Sequence, residues 1–251
     1  MVNHNCFITK QKVKFINIDK GYFLMLLKRF FAVLIISLLV VTSAKADRSP
    51  SAAALGIMVE ALASLKEYRG TGKTSIEDVE DVIVAELLPS LDITESTRIA
   101  LKKYWSDLTP KQQLILKTYI ATSLVDNYSS VLHSYQNLDN IKVSVDPNVK
   151  RKDNKAIVKM YIAEAERKKP VMVTLKMMLS GNDWHIYDVV LSGVSLVKNY
   201  RANFNSHIKR KGVESLIIKA TKKLRKHSKE NCPVCLSMGL QQAMLDAENK
   251  F

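Results

Sequence analysis

The sequence predicts an α+β fold, with a curved antiparallel sheet of about four strands packed against helices from both ends of the chain. Three observations carry this reading. From Ser51 to Leu138 apolar residues recur every three or four positions, the period of a helix with one buried face. From Ile141 to Leu191 the period drops to two, and short polar stretches separate the runs. Beyond Leu196 the helical spacing returns. Helices, then hairpin-linked strands, then helices imply a layered α+β arrangement rather than alternating βα units.

The N-terminal region is set apart. Residues 28–46 read KRFFAVLIISLLVVTSAKA. Lys28 and Arg29 precede a twelve-residue apolar run, Phe30 to Val41, and Ala44-Lys45-Ala46 offers a small-x-small cleavage site. This is the pattern of a cleavable signal peptide over 1–46, with Met25 as an alternative start. A membrane span wants about 20 apolar residues, so the run is short for an anchor. The whole chain of 251 residues carries a net charge of +14. Removing seven basic residues and one acid with the signal leaves 31 basic and 23 acidic residues, a net +8. Export argues against nucleic acid as a partner and leaves anionic membrane surfaces or acidic proteins.

The domain is expected over 47–226. Leu55, Met58, Val59, Leu62 and Leu65 mark a first amphipathic helix. Thr74 and Glu77 suggest a capping box for a second, which buries Val79, Val82, Ile83 and Leu87 and ends at Pro89. A short helix follows from about Thr94 to Trp105. In LTPKQQ, Thr109 caps, Pro110 takes the first helical position and Gln112 completes the box. The long helix that results shows Ala121, Leu124, Val125, Tyr128, Val131, Leu132 and Tyr135 on one face. Four strands come next: Ile141 to Val145, a run through Val158, Met160 and Ile162, Val171 to Leu179, and one opening at Trp184. Gly193 suits a bend where the last strand leaves the sheet. Helices through Tyr200, Phe204 and Ile208, and then through Leu216, Ile217, Ala220 and Leu224, meet at Gly212.

The last strand breaks the alternation rule. Trp184, Ile186 and Val190 fall on one parity, and Tyr187, Val189 and Leu191 on the other. Either helices cover both faces or one face lines a pocket. His185 and Asp188 would lie on opposite faces, so they make no acid/base pair. The chain has no GxSxG, P-loop or HExxH pattern, and no metal site is expected. Cys232 and Cys235, as CPVC in a basic C-terminal extension over 227–251, are candidates for a disulfide. A redox pair, or a zinc site with His227, are the alternatives.

WHIYDVVLSGVSLVKNYRANF, residues 184–204, resembles the signature strand and helix of the MlaC-like (toluene-tolerance) phospholipid-binding proteins of Gram-negative bacteria. Trp184, Tyr187-Asp188-Val189, Gly193-Val194-Ser195-Leu196 and Asn199-Tyr200-Arg201 supply its parts, and YWSDLTPKQQ resembles a second segment. The resemblance spans about residues 50–221. It implies a non-enzymatic periplasmic carrier that holds glycerophospholipid tails in a hydrophobic cavity between sheet and helices. The partners it implies are an inner-membrane ABC transporter and an outer-membrane lipoprotein–porin complex, and the bound phospholipid is the sole ligand. Strand parity then offers Val143, Val158, Met160, Ile162, Val173, Leu175 and Met177 as lipid-binding residues. Tyr128 and Leu132 from the long helix, and Val189 and Leu191 from the fourth strand, complete the set. Asp188 and Arg201 are expected to pair at the strand–helix corner. A periplasmic thiol-disulfide module using Cys232 and Cys235, or a small-molecule enzyme using His185 or Asp188, are the competing functions.

Overall fold

The computed structural model describes residues 49–135, 137–165, 168–228 and 233–239. The predicted signal and Cys232 lie outside the described residues. Helix α1 spans Pro50–Gly70, with Ser49 accepting from the Ala52 N–H as its cap. Helix α2 (Ile76–Val82) is capped by a reciprocal box between Ser75 and Asp78, one residue beyond the Thr74/Glu77 pair that the sequence suggested. A π-helical turn (Ile83–Leu87) and a 3₁₀ turn (Leu88–Ser90) carry the chain past Pro89. Helix α3 spans Ile93–Leu101, and α4 spans Pro110–Ser134 behind the expected Thr109/Gln112 box. On α4, Ala121 and Val125 are buried, but Val131 is 46% exposed, so the apolar stripe is narrower than its periodicity implied.

Among the described residues the sheet has six strands, not four: β1 (Ile141–Val145), β2 (Lys150–Lys152), β3 (Lys155–Glu164), β4 (Val171–Ser180), β5 (Asp183–Leu191) and β6 (Val194–Ser195). The order is β1-β3-β4-β5-β6, all antiparallel, with β2 also on β3. The two additional strands have physical causes. Pro147 lacks a backbone N–H and interrupts the pairing beside β3, so the chain returns to β3 only at Lys150. Ser192 and Gly193, at φ 50° and 83°, make the two-residue turn with both residues left-handed that a tight hairpin needs, and β6 pairs back on β5.

Helix α5 (Leu196–Ser228) is broken at Gly212, where φ is 78° and ψ is 165°, so the two expected helices do meet there. A last short helix, α6 (Pro233–Ser237), buries Val234 and Cys235 against the helical layer. Cys235 is disulfide-bonded and 1% exposed. His227 Nε2 lies 3.3 Å from Asp126 of α4, and Lys223 Nζ is 2.9 Å from the same carboxylate. The disulfide at Cys235 removes that thiol from the zinc alternative.

Two apolar clusters build the interior. One joins α1 to α2, α3, α4, α5 and α6 through Leu65, Val82, Leu101, Leu116, Phe204 and Leu224 among others. The other lies on the inner face of the sheet, around Val158, Met160, Leu175, Met177, Trp184 and Ile186, under Ala54 of α1. Leu91 is the residue that packs against both.

Glu80 of α2 faces Ser129, whose hydroxyl donates to its carboxylate at 3.3 Å. Burial pushes its carboxyl above the usual range, and Asp126 and Glu77 add to this while His227 opposes it. A carboxyl raised in the folded state favours folding at low pH, and that contribution is lost as pH rises through the folded-state value. Glu80→Gln should therefore raise the melting temperature at pH 7 and bring no gain near pH 4, as read by thermal unfolding at the two pH values.

Candidate binding site

Strand β5 resolves its own broken alternation with a bulge. Met177 pairs with Ile186, but the preceding Lys176 pairs with Asp188, so Tyr187 is an extra residue on β5. Parity therefore flips at Tyr187. Trp184, Ile186, Val189 and Leu191 all share the inner face with Leu179, Met177, Leu175 and Val173, and Asp188 and Val190 turn to the other face. The sequence expectation of two apolar faces is thus corrected: there is one apolar face, reached through a one-residue slip. The bulge also returns His185 and Asp188 to a common face, since they pair with Met178 and Lys176.

Nine of the eleven expected ligand-lining residues come together on this inner face. Val143, Val158, Met160, Ile162, Val173, Leu175, Met177 and Val189 belong to the sheet cluster or pack on it, and Leu191 pairs with Val173 at its margin. The other two are on α4 and outside that cluster. Leu132 packs in the helical cluster, and Tyr128 is half-buried, with its phenol pushed up by desolvation.

Strand β6 pairs with β5 only at Val190 and Leu191, so the β5 edge at Ile186 and Tyr187 is open to other backbone and side-chain partners. Helix α3 and its lead-in supply them here. The Asp92 N–H donates to Ile186 O at 2.8 Å, and Ser96 Oγ donates to Tyr187 O at 2.7 Å. Asp188, buried, becomes the centre of a polar knot. Lys176 Nζ and Ser195 Oγ each donate to Oδ2 at 2.7 Å, and the Val197 N–H donates to Oδ1 at 3.1 Å. Ser195 Oγ accepts from the Lys198 N–H at 3.1 Å, so Ser195 and Asp188 together cap the first turn of α5. The expected Asp188–Arg201 pair is replaced by Asp188–Lys176. Sequence parity hid this, because Lys176 and Asp188 become partners only after the slip at Tyr187.

Between the two apolar clusters lies a cleft of about 30 Å³. Leu91, Ile93, Ser96, Ile120 and Leu124 line it from one side, Ile186, Tyr187, Asp188 and Val189 from the sheet, and Leu196, Val197 and Tyr200 from α5. Tyr200 packs against Phe204, 5.9 Å between ring centres with the planes tilted at 54°, and burial raises its phenol to about 12 despite a hydrogen bond with Ser123. The walls are apolar apart from groups already hydrogen-bonded. Among the described residues no cluster of His, Cys, Asp or Glu is arranged to hold a metal. No helix among them is long and apolar enough to cross a membrane.

An open antiparallel sheet with one apolar face, roofed by helices and tied at a strand–helix corner, defines the fold class of a phospholipid-binding protein from Ralstonia solanacearum. That protein was solved in complex with a phospholipid; the two superpose with a TM-score of 0.62 at 24% identity, over 70% of this chain and 97% of the other. The chain belongs to the MlaC protein family, whose profile matches residues 57–222. It is similar to the intermembrane phospholipid transport system binding protein MlaC of Haemophilus influenzae, at 22% identity over 201 residues, 77% of this chain and 92% of that one. It is also similar to toluene tolerance protein ttg2D of Pseudomonas putida, at 26% identity over 169 residues, 66% of this chain and 76% of that one. The disulfide-bonded Cys235 and helix α6 lie beyond the matched region.

Replacing Asp188 by Ala would strand Lys176, Ser195 and the Val197 N–H at one corner. Losing a buried, hydrogen-bonded charge of this kind costs about 3 kcal/mol. Urea unfolding of Asp188→Ala should show that loss, and Arg201→Ala should show well under half of it.

Proposed function

We propose that the protein is a periplasmic phospholipid carrier, exported by a signal peptide over 1–46 and holding acyl chains between its sheet and helices. It would exchange them between an inner-membrane ABC transporter and an outer-membrane lipoprotein–porin complex, and so help maintain outer-membrane lipid asymmetry. The observation that carries this reading is the seam itself. The interior is divided into two apolar clusters that share Leu91, with an apolar cleft where they meet. Family membership and the ligand of the Ralstonia protein support it.

The energetics favour a carrier. Each acyl methylene taken out of water is worth about 0.8 kcal/mol, so two tails of about 15 methylenes would cost roughly 24 kcal/mol to expose. The headgroup can remain in water. A carrier with no nucleotide chemistry equilibrates lipid, and direction is supplied by its partners.

Pockets that enclose small-molecule ligands run to about 300–1,000 Å³. The cleft is an order of magnitude smaller, so loading must part the layers. The part of α1 that meets the sheet is built from Ala53, Ala54, Ile57 and Met58. Ala53 and Ala54 bury little area but Ile57 and Met58 bury more, so lifting this segment gives up apolar packing that the incoming chains must replace. Val158, Met160, Val173, Leu175 and Met177 would line the opened space, with Val143, Ile162, Val189 and Leu191 toward its rim and Tyr128 and Leu132 on the opposite wall.

Native mass spectrometry of protein taken from the periplasm should show a bound mass of one or more phospholipids; a bare polypeptide mass alone would end the reading. Leu175→Trp adds bulk to the inner face, at a packing cost of about 1–3 kcal/mol, and should cut lipid occupancy several-fold in protein that still melts cooperatively. The exposed Lys150, Arg151 and Lys152 of β2 and Lys168 and Lys169 of the β3–β4 turn suit an acidic partner or headgroups. Transfer should then slow with salt as the Debye length falls from ~10 Å toward ~3 Å.

A further inference from the structure

The inner face of the sheet is not sealed at every edge. Register places Val194, Leu191, Val173, Met160 and Val145 in one row across β6, β5, β4, β3 and β1. Directly opposed residues of antiparallel strands project to the same side, so this row is a continuous apolar track. Its exposure is graded: Met160 is 1% exposed, Val173 9%, Leu191 37% and Val194 58%. The track therefore begins in the sheet cluster and emerges at β6, where the strand order ends. The hairpin that carries its outer end is held by the Ser192-Gly193 turn and anchored by Ser195 on Asp188. Val194 is paired with Leu191, and both are exposed, so the apolar row reaches the surface as a continuous pair and not as one stray side chain.

We propose that the β5–β6 edge is the portal through which an acyl chain of a phospholipid passes between solvent-facing surface and interior. This rests on the carrier reading above and adds where the ligand crosses. A chain leaving the inner face along this row meets Val173, then Leu191, then Val194, and exchanges one apolar neighbour for the next without crossing a polar group. The polar knot of Asp188, Lys176 and Ser195 projects from the opposite parity of the same strands, so it holds the portal's frame without interrupting the row, while Asp188 also borders the cleft.

The test is transfer of a pyrene-labelled phosphatidylglycerol between protein-free vesicles, with wild type, Val194→Asp, Val194→Ser and Ile218→Asp compared. Ile218 is 67% exposed on α5 and off the track, so it reports the effect of a surface charge as such. Val194→Asp should slow transfer about tenfold, equivalent to ~1.4 kcal/mol in the barrier, and Val194→Ser by a smaller factor. Lipid occupancy at equilibrium should stay at the wild-type level, and Ile218→Asp should transfer at the wild-type rate. Should Val194→Asp fail to fold, the Val194→Ser rate decides. Wild-type rates in the Val194 variants, or equal slowing in Ile218→Asp, would overturn the portal while leaving the carrier reading intact. A wild-type protein that takes up no labelled lipid would overturn both.

Discussion

The extra residue at Tyr187 is the constraint on which the rest of the structure depends. By slipping β5 one position against β4, it gathers Trp184, Ile186, Val189 and Leu191 onto one face and sends Asp188 to the other. Beyond the reach of β6, the carbonyls of Ile186 and Tyr187 receive Asp92 and Ser96, which dock α3 against the sheet. Asp188 in turn receives Lys176 from β4 and the first turn of α5. Three elements distant in sequence are thus fastened at one corner, and the cleft opens beside it.

This placement separates two jobs. Polar groups do the fastening on the outer side of β5, through Asp188, Lys176 and Ser195. The inner side is left apolar and packed by Ala54, Ile57 and Met58 of α1, so its contacts are non-directional and replaceable. A protein whose ligand interactions are hydrophobic needs that division, because a hydrogen-bonded interior would resist parting at every unpaired group.

Much of this was legible beforehand. Helix periodicity, the Thr109/Gln112 box and the switch to two-residue spacing located the elements, since each is a local effect of backbone geometry. The inner-face residues of β1, β3 and β4 followed from parity, because nothing interrupts those strands between Ile141 and Val145 or between Val171 and Met177. On β5 parity placed Val189 and Leu191 on the lining face, where they lie, but set Trp184 and Ile186 on the opposite one; the inserted Tyr187 brings all four together, and its only mark in the sequence is the broken alternation. The same slip hid the Lys176–Asp188 pair behind an expected Arg201. The splitting of the first strand at Pro147 was visible as a proline, but the return of Lys150–Lys152 to β3 depends on tertiary pairing. Tyr128 and Leu132 share a helical face with buried neighbours, and helical phase alone does not say which layer that face meets.

Strand β2 has a bearing on solubility. Its three residues, Lys150, Arg151 and Lys152, are all exposed, and they occupy the end of the sheet's β3 margin that β1 leaves uncovered. An uncovered sheet edge is at risk of adding a foreign strand and growing into an aggregate. Three adjacent positive charges on a short, proline-preceded edge make that addition electrostatically and geometrically unfavourable. The charge of β2 thus guards this stretch of the sheet margin against edge-to-edge pairing.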